Sequence, residues 1–567
     1  MLKIWSRGLL ADRILDLRPS ADSAIDRLQK QAAGRSRGAA VRFKRDEGGA
    51  MLVFALMMFI LMLAIGGLAV DVMRHEALRT RLQSTTDRAV LAAASLDQKA
   101  DPESVVDDYF AKAGMSDMLV SRNAVTGLGF REVDAQTAAI QDNLFMRMIG
   151  INTLGVQAQG AAEESISKIE VSLVLDISSS MNDNNRLINL RPAAVEFIDM
   201  LIGDTTDSDI SVSIVPYAGQ VNVGSSLLAQ YNVTSEHADS NCVQFGTLDF
   251  ETTALSQTDL LQREAHFDPW YTSKSPTLRF CPVDPTSAII PVSNNGPFLK
   301  ARMNALNADG NTSIDIGVKW GAALLDPGTR PVIANLAVGG IVPAALNDRP
   351  FDFGNPQVLK VLVVMSDGQN WDQFEIDPQY DSGDSPIYIN TADNNLSIWH
   401  ASQNKYYVQH LNAWRNEPWG AATTESTCGW VKVGGNWQYN CSTTTTPDTS
   451  ARLTWPQVWK SYSVRWIADE LYGDAFNSSA VRNAWINNFL NVTGPSTKDD
   501  RLHEICGSLK AEDVLIFAVG FEAPSVGRDA LRDCASSPGH YYDASGIQIK
   551  DVFAAIARQI SQLKLTQ

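Results

Sequence analysis

From Ala50 to Val70 the chain runs for 21 residues without a charge, and most of the side chains are large and apolar. At about 1.5 Å of rise per residue a helix of that length spans a hydrocarbon core of roughly 30 Å. A cleaved signal peptide has a shorter apolar run, about 7–15 residues, with a small-residue cleavage site directly behind it. Here Asp71, Arg74, His75 and Glu76 follow at once, and Ala92-Ala93-Ala94 comes too late to be that site. The run therefore reads as an uncleaved anchor, and a buried core helix is the plainer alternative.

Charge sets the expected orientation. Arg35, Arg37, Arg42, Lys44 and Arg45 crowd the flank before Ala50, so residues 1–47 are expected in the cytoplasm and the rest outside an inner membrane. The formal net charge of the chain is −17, but residues 1–47 are basic and the remainder is strongly acidic. An acidic exterior part repels phosphates and argues against nucleic-acid binding. The segment around Leu10 to Leu28, with Leu15 and Leu17, reads as a short amphipathic helix. Gly34, Gly38, Gly48 and Gly49 mark a loose approach to the membrane.

Beyond the apolar run, Leu78, Leu82, Thr85, Ala89, Ala93 and Leu96 recur at spacings of three and four, which predicts a helix continuing to about Gln98. Residues 103–165 read as a short helix, Val105 to Lys112, and a few strands, one near Val156; together they form a small α+β stalk. All six cysteines lie beyond residue 240, none in a C-x-x-C pair, which suits disulfides in an oxidising compartment. Free buried thiols are the alternative. Nearness in sequence favours Cys242–Cys281, Cys428–Cys441 and Cys506–Cys534.

Ile169 to Leu175 is an apolar strand followed by Asp176-Ile177-Ser178-Ser179-Ser180, and a helical pattern then runs from Arg186 to about Ile202. Ile210 to Pro216, Lys360 to Met365 and Asp513 to Val519 are further apolar strands. Such strands alternating with helices imply a mostly parallel, doubly wound sheet covered on both faces, with ligands at the carboxyl ends of the strands. Asp176 and Asp367, the latter in Ser366-Asp367-Gly368, occupy that rim. Carboxylate and hydroxyl oxygens are hard ligands that suit Mg²⁺ or Mn²⁺, with Ca²⁺ less favoured at so small a site. Capping of helices by these aspartates is the plainer reading. A Ser nucleophile lacks a neighbouring His or Lys in sequence, and there is no P-loop, H-E-x-x-H or G-x-S-x-G, so the chain reads as a non-enzyme.

Two resemblances gather these features. Gly48-Gly49-Ala50 through Val70-Asp71-Val72, then Leu82-Gln83, Asp87 and the alanine block, resembles the N-terminal segment of TadG-like proteins of tight-adherence (Flp/Tad) pilus systems. Type IV prepilins carry a Glu five residues after their cleavage point. For a cut after Gly49 that position is Phe54, which argues against processing and against polymerisation as a pilin. The D-x-S-x-S loop, the later Gly310-Asn311-Thr312 before the helix Ile314 to Leu325, and Asp367-Gly368 resemble the metal-ion-dependent adhesion site of von Willebrand factor A (VWA) domains. That resemblance implies a metal held by Asp176, Ser178, Ser180, Thr312 and Asp367. It also implies an open position for an acidic residue of a protein partner, such as a pilus or secretion component.

The expected organisation is a cytoplasmic segment 1–47, an anchor 48–71, a helix and stalk 72–165, and a VWA domain 166–567. The core of that domain is expected at about 166–220, 300–370 and 505–567, interrupted by insertions 221–299 and 371–504. The second insertion holds Trp414, Trp419, Trp430, Trp437, Trp455, Trp459 and Trp466 among others, which form either a small core or a surface for sugars or proteins. The resemblances together imply a membrane-anchored, metal-dependent binding component of a Tad pilus. A membrane-tethered VWA partner of a chaperone ATPase in envelope maturation, or a hydrolase with a metal-activated water, are the rival readings.

Overall fold

Leu, Met and Ala dominate the apolar run, and neither proline nor glycine interrupts residues 68–94, so one helix, α1, extends over Glu47–Ala94. The computed structural model describes residues 47–565 apart from 97, 128–129, 166–167 and 204–208. The amphipathic helix expected near Leu10 to Leu28 and the cytoplasmic glycines Gly34 and Gly38 lie outside the described residues. Residues 51–66 of α1 expose their side chains all round, and the helix is long and apolar enough to cross a membrane. It stops four residues before Gln98, because the N–H of Leu96 is taken by the Glu164 carboxylate at 2.8 Å instead of a helix carbonyl.

The described residues form two compact units. In the first, the later turns of α1 bury Leu82, Thr86, Ala89, Val90 and Ala93. The expected stripe is thus shifted, since Thr85 sits at its half-buried rim and Thr86 lies within it. A helix α2 (Pro102–Ala113) starts on Asp101, whose side chain accepts the Ser104 N–H at 3.0 Å, with proline in the first turn. Three strands follow, β1 (Leu119–Gly127), β2 (Phe130–Asp142) and β3 (Thr153–Ser165), hydrogen-bonded in that order. Thr86 reaches Thr137 of β2 at 3.5 Å, and Thr137 in turn donates to the Ala158 carbonyl of β3. This is the α+β stalk.

The second unit is built on a six-stranded sheet. Its elements, in chain order, are β4 (Lys168–Asp176), α3 (Arg186–Leu201), β5 (Ile210–Tyr217), β6 (Ile290–Ser293), α4 (Gly296–Asn304), α5 (Ile314–Ala323), β7 (Val358–Ser366), α6 (Pro495–Ala511), β8 (Leu515–Phe521), α7 (Ser525–Cys534), β9 (Tyr541–Ala544) and α8 (Gln548–Leu565). The strand order is β9-β8-β7-β4-β5-β6, parallel except for the edge strand β6. Ile169, Val171, Leu173 and Leu175 of β4 pack into a layer with Phe197 and Ile198 of α3, Leu299 and Met303 of α4, and Phe553 and Ile556 of α8. Val174 faces the other layer, with Ile316 and Val318 of α5 and Leu502, Ile505 and Leu509 of α6. Cover on both faces explains why these strands are mostly apolar. This is an α/β, doubly wound, mostly parallel sheet.

Two boundaries differ from expectation. The edge strand β6 lies inside the segment expected as the insertion 221–299. It is four residues long and contains Pro291, which an edge strand tolerates because no ladder partner needs its missing N–H. Likewise α6 starts ten residues before 505, inside the expected second insertion.

The two insertions do not make separate cores. Phe267 and Phe280 from the first join Ile387, Ile398, Trp455, Trp459, Trp466 and Phe489 from the second in one cluster. Trp455 and Trp459 stack at 5.2 Å. Three tryptophans of the second insertion stay exposed, Trp371, Trp430 and Trp437. The last two lie on a hairpin, Thr423–Val433 with Asn436–Thr446, so the Thr-rich stretch after Cys441 is largely strand rather than loop. All three expected disulfides are formed: Cys242–Cys281, Cys428–Cys441 across the hairpin, and Cys506–Cys534 between α6 and α7.

Candidate metal centre

Strands β4 and β7 are neighbours in register, Leu175 opposite Met365, so their next residues, Asp176 and Ser366, emerge side by side at the carboxyl rim. Asp176 is buried, and its Oδ2 accepts the Ser366 hydroxyl at 2.6 Å. Its Oδ1 accepts the N–H of Ser178 at 2.8 Å. That short-range bond turns the backbone after β4 and is the local reason for Asp at the first position of the motif. The turn brings Ser178 and Ser180 together, hydroxyl to hydroxyl at 3.0 Å, and Ser180 donates to Asp367 Oδ1 at 2.8 Å. Four of the five expected residues are thus linked in one chain of hydrogen bonds across two strands.

Thr312 comes from the loop before α5. The Ser179 N–H donates to the Gly310 carbonyl at 2.8 Å and ties this loop to the first one. Thr312 is buried, and its hydroxyl oxygen lies 3.4 Å from where a Cβ on Gly368 would stand. Its carbonyl accepts from the Trp371 N–H at 3.0 Å and from Lys498 Nζ at 3.2 Å.

The electrostatics are unbalanced. Burial and then the charge of Asp367 push the Asp176 carboxyl up to about 7. Burial also raises Asp367, against the hydrogen bond from Ser180 and the charge of Arg186. Arg186, the first residue of α3, donates through Nη1 to Asp367 Oδ2 at 2.8 Å and through Nε to Glu522 Oε2 at 2.9 Å. Among the described residues Asp176 has uncharged hydrogen-bond partners, Ser178 and Ser366. A buried carboxylate without a counter-charge, beside a second carboxylate and three hydroxyl-bearing side chains, is a donor set of hard oxygens that fits a small divalent cation.

Sequence reasoning did not find Arg186, Glu522, Ser366 or Lys498 as parts of this region. Lys498 of α6 is buried, holds the Thr312 and Trp371 carbonyls and the Ser313 hydroxyl, and pairs with Asp315 at 3.7 Å. Only Ser366 carried a signal, its place directly before Asp367 at a strand end. Arg186 lies only six residues beyond Ser180 but gave no sign of its partner Asp367, and Glu522 and Lys498 reach the site from elements far away in sequence.

Several solved structures resemble the chain at low identity. The vWF domain of the type V pili tip protein Mfa5 from Porphyromonas gingivalis matches with 12% identity and a TM-score of 0.30, over 70% of this chain and 96% of that one. The adhesive tip pilin GBS104 from Group B Streptococcus agalactiae matches with 13% identity and a TM-score of 0.31, over 69% and 100%. The pilus adhesin SpaC from Lactobacillus rhamnosus GG matches with 11% identity and a TM-score of 0.27, over 77% of this chain and 34% of that one. No curated protein matches the chain. Residues 48–96, the apolar run of α1 and the amphipathic turns after it, match the Flp pilus-assembly TadE/G-like family. The likeness of the chain to Flp pilus-assembly TadE/G-like proteins is carried by that segment, residues 48–96.

Proposed function

We propose that the chain is an inner-membrane-anchored, metal-dependent protein-binding component of a Tad/Flp pilus assembly or adhesion system. The observation that carries the metal-dependent part is the hydrogen-bonded cluster Asp176–Ser178–Ser180–Asp367, in which a buried carboxylate lacks a counter-charge. Asp176, Ser178, Ser180, Thr312 and Asp367 would hold the ion, Mg²⁺ or Mn²⁺ before Ca²⁺. When bound, it supplies a positive centre to which an acidic side chain of a partner can coordinate.

The chain's own residues define what that partner meets. Ser178 and Ser180 orient the loop, and Arg186 holds Asp367 in place. The membrane part of the proposal is supported by the bare apolar surface of α1 and by the basic flank before it, which favour a cytoplasmic N-terminus and a periplasmic second unit. The TadE/G-like segment ties the role to a pilus.

The test has two arms. Calorimetric titration of the full-length protein with Mg²⁺ and Mn²⁺ should show one site that Asp176→Ala removes. In cells, the same substitution should reduce surface pili or adhesion while leaving the protein's amount in the membrane unchanged. Wild-type protein that binds neither ion, or an Asp176→Ala strain with normal pili and adhesion, would contradict the proposal.

A further inference from the structure

Between β2 and β3 the sequence Leu144-Phe145-Met146-Arg147-Met148-Ile149-Gly150-Ile151 carries six large apolar side chains and no acidic one. Its ends are pinned, the Asn143 N–H donating to the Asn152 carbonyl at 2.9 Å. In between, Met146–Ile149 forms a single 3₁₀ turn. The apolar side chains do not fold inward. Met148 is 84% exposed, Ile149 62% and Leu144 61%, with Phe145 and Ile151 exposed as well.

The loop is held against the end of the apolar run of α1. Asp71, the first charged residue after that run, is wholly buried. Its carboxylate accepts the backbone N–H groups of Leu144, Phe145 and Met146 at 3.0, 2.7 and 2.8 Å. The Gln141 amide donates to the Asp71 carbonyl at 3.3 Å, and Arg74 reaches the Asp142 carbonyl at 3.4 Å. Phe145 lies on Gly67, where a Cβ would come within 2.5 Å of its ring, so only glycine admits the contact. Gly67 lies three residues inside the apolar run, roughly 4.5 Å along the helix from Val70.

Six of the loop's eight backbone amides have partners in the helix or the loop itself. Besides the three on Asp71, the N–H groups of Met148, Gly150 and Ile151 donate to the carbonyls of Phe145, Arg147 and Met146. A loop with most of its amides bonded and most of its apolar side chains outward suits a medium poor in hydrogen-bonding partners, where each unpaired backbone group is costly. In water the same surface is a liability. Arg147 within the loop is exposed, and a cation at a membrane surface is attracted to anionic lipid headgroups.

We propose that residues 144–151 seat in the headgroup–acyl boundary of the leaflet at which α1 leaves the bilayer, so that the clamp of Asp71 and Gly67 fixes the depth of the helix. The occupant is the bilayer itself, because the loop is continuous with the membrane segment through the Gly67–Phe145 contact. The inference rests on the reading that α1 crosses a membrane, and the test separates the two.

The described cysteines are all in disulfides, so a single added thiol can carry a spin label. Full-length protein with Met148→Cys, Met57→Cys or Val338→Cys is reconstituted in phosphatidylethanolamine–phosphatidylglycerol nanodiscs. Each label's accessibility to oxygen, which partitions into lipid, and to a water-soluble nickel chelate is then read by power saturation. Met57 lies within the apolar run, and Val338 is an exposed residue of the second unit. The expected result is an oxygen-to-nickel ratio at position 148 severalfold above that at 338 and below that at 57. A ratio at 148 equal to that at 338, with 57 in lipid, overturns the seating of the loop and leaves the membrane helix standing. Exclusion of both reagents at 148 overturns it in favour of a protein or second copy covering the loop. Nickel accessibility at 57 shows that the helix does not cross the membrane, and the proposal falls with it.

Discussion

Replacing Asp176 by Asn removes one charge from the rim while keeping the side chain's size and one acceptor. In the wild type the carboxylate accepts from the Ser178 N–H and from the Ser366 hydroxyl, and among the described residues no cationic side chain pairs with it. A divalent ion present at a hundredfold excess over its dissociation constant stabilises the folded state by about 2.7 kcal/mol. A domain of about 150–250 residues gains about 2–4 °C per kcal/mol. The second unit is larger, so the wild-type shift on adding Mg²⁺ to chelated protein is expected at roughly 3–6 °C. Asp176→Asn should lose nearly all of it. In chelator the variant should be no less stable than wild type. It loses one hydrogen bond, about 1 kcal/mol, but no longer buries a carboxylate beside Asp367, a penalty of several kcal/mol for an ion without a partner. The assay is tryptophan fluorescence during thermal unfolding of the full-length protein in detergent. Apart from Trp5 every tryptophan lies at or beyond position 270, so the signal reports the second unit. An unshifted wild type, or a variant that shifts as much as the wild type, would refute the reasoning. So would a variant several degrees less stable in chelator, since the carboxylate would then be a structural cap.

Arg186→Gln frees Asp367 from its cationic partner and should tighten Mn²⁺ binding by about tenfold, equivalent to about 1.4 kcal/mol, in calorimetric titration; unchanged or weaker binding would show that Arg186 organises the site instead of competing for it. Glu170 is buried and accepts from Lys360 at 2.6 Å, Arg349 at 3.2 Å and the Phe351 N–H at 2.9 Å, so Glu170→Gln removes a buried carboxylate that faces two buried cations and should cost about 3–5 kcal/mol in urea unfolding. Removing the Cys506–Cys534 bridge by a double Cys→Ala change should cost about 2–4 kcal/mol because it joins two packed helices, whereas the same change at Cys428–Cys441, on an exposed hairpin, should leave the transition of the second unit within about 0.5 kcal/mol. The hydrogen bond and charge of Asp533 raise the His503 pKa; a raised folded value means that this contribution is complete below the unfolded value near 6.5 and fades as pH rises through the folded value, so an NMR titration should show a midpoint above about 6.5 that Asp533→Asn lowers.

How much could be read from the chain alone depends on the range of the forces involved. The strands at Ile169, Ile210, Lys360 and Val514 are legible because burial on both faces leaves a predominantly apolar segment, a mark carried by the sequence itself. The turn at Asp176 is legible for a related reason, since its defining bond reaches only two residues, to the Ser178 N–H. Strand β6 gives no such mark: four residues with a proline form a strand only because β5 presents an edge. The shared core of the insertions is hidden similarly, since neither Phe280 nor Trp459 says which other segment will cover it.

The charge environment of the rim is the hardest part to foresee, and it bears most on function. Asp176 and Asp367 suggest an ion because the sequence places two like charges at one sheet edge. Whether those charges remain available depends on Arg186, which meets Asp367 across 181 residues of chain, and on Glu522, which draws the same guanidinium from the end of β8. Asp71 shows the converse case. In sequence it looks like the polar end of a membrane segment, yet its carboxylate is consumed by three backbone amides more than seventy residues away. The two aspartates of the rim each accept from one hydroxyl and at most one cation or backbone amide besides, whereas the Asp71 carboxylate accepts three backbone amides. A carboxylate's role is therefore set by how many donors reach it, and those donors come from elements that only the folded chain brings near.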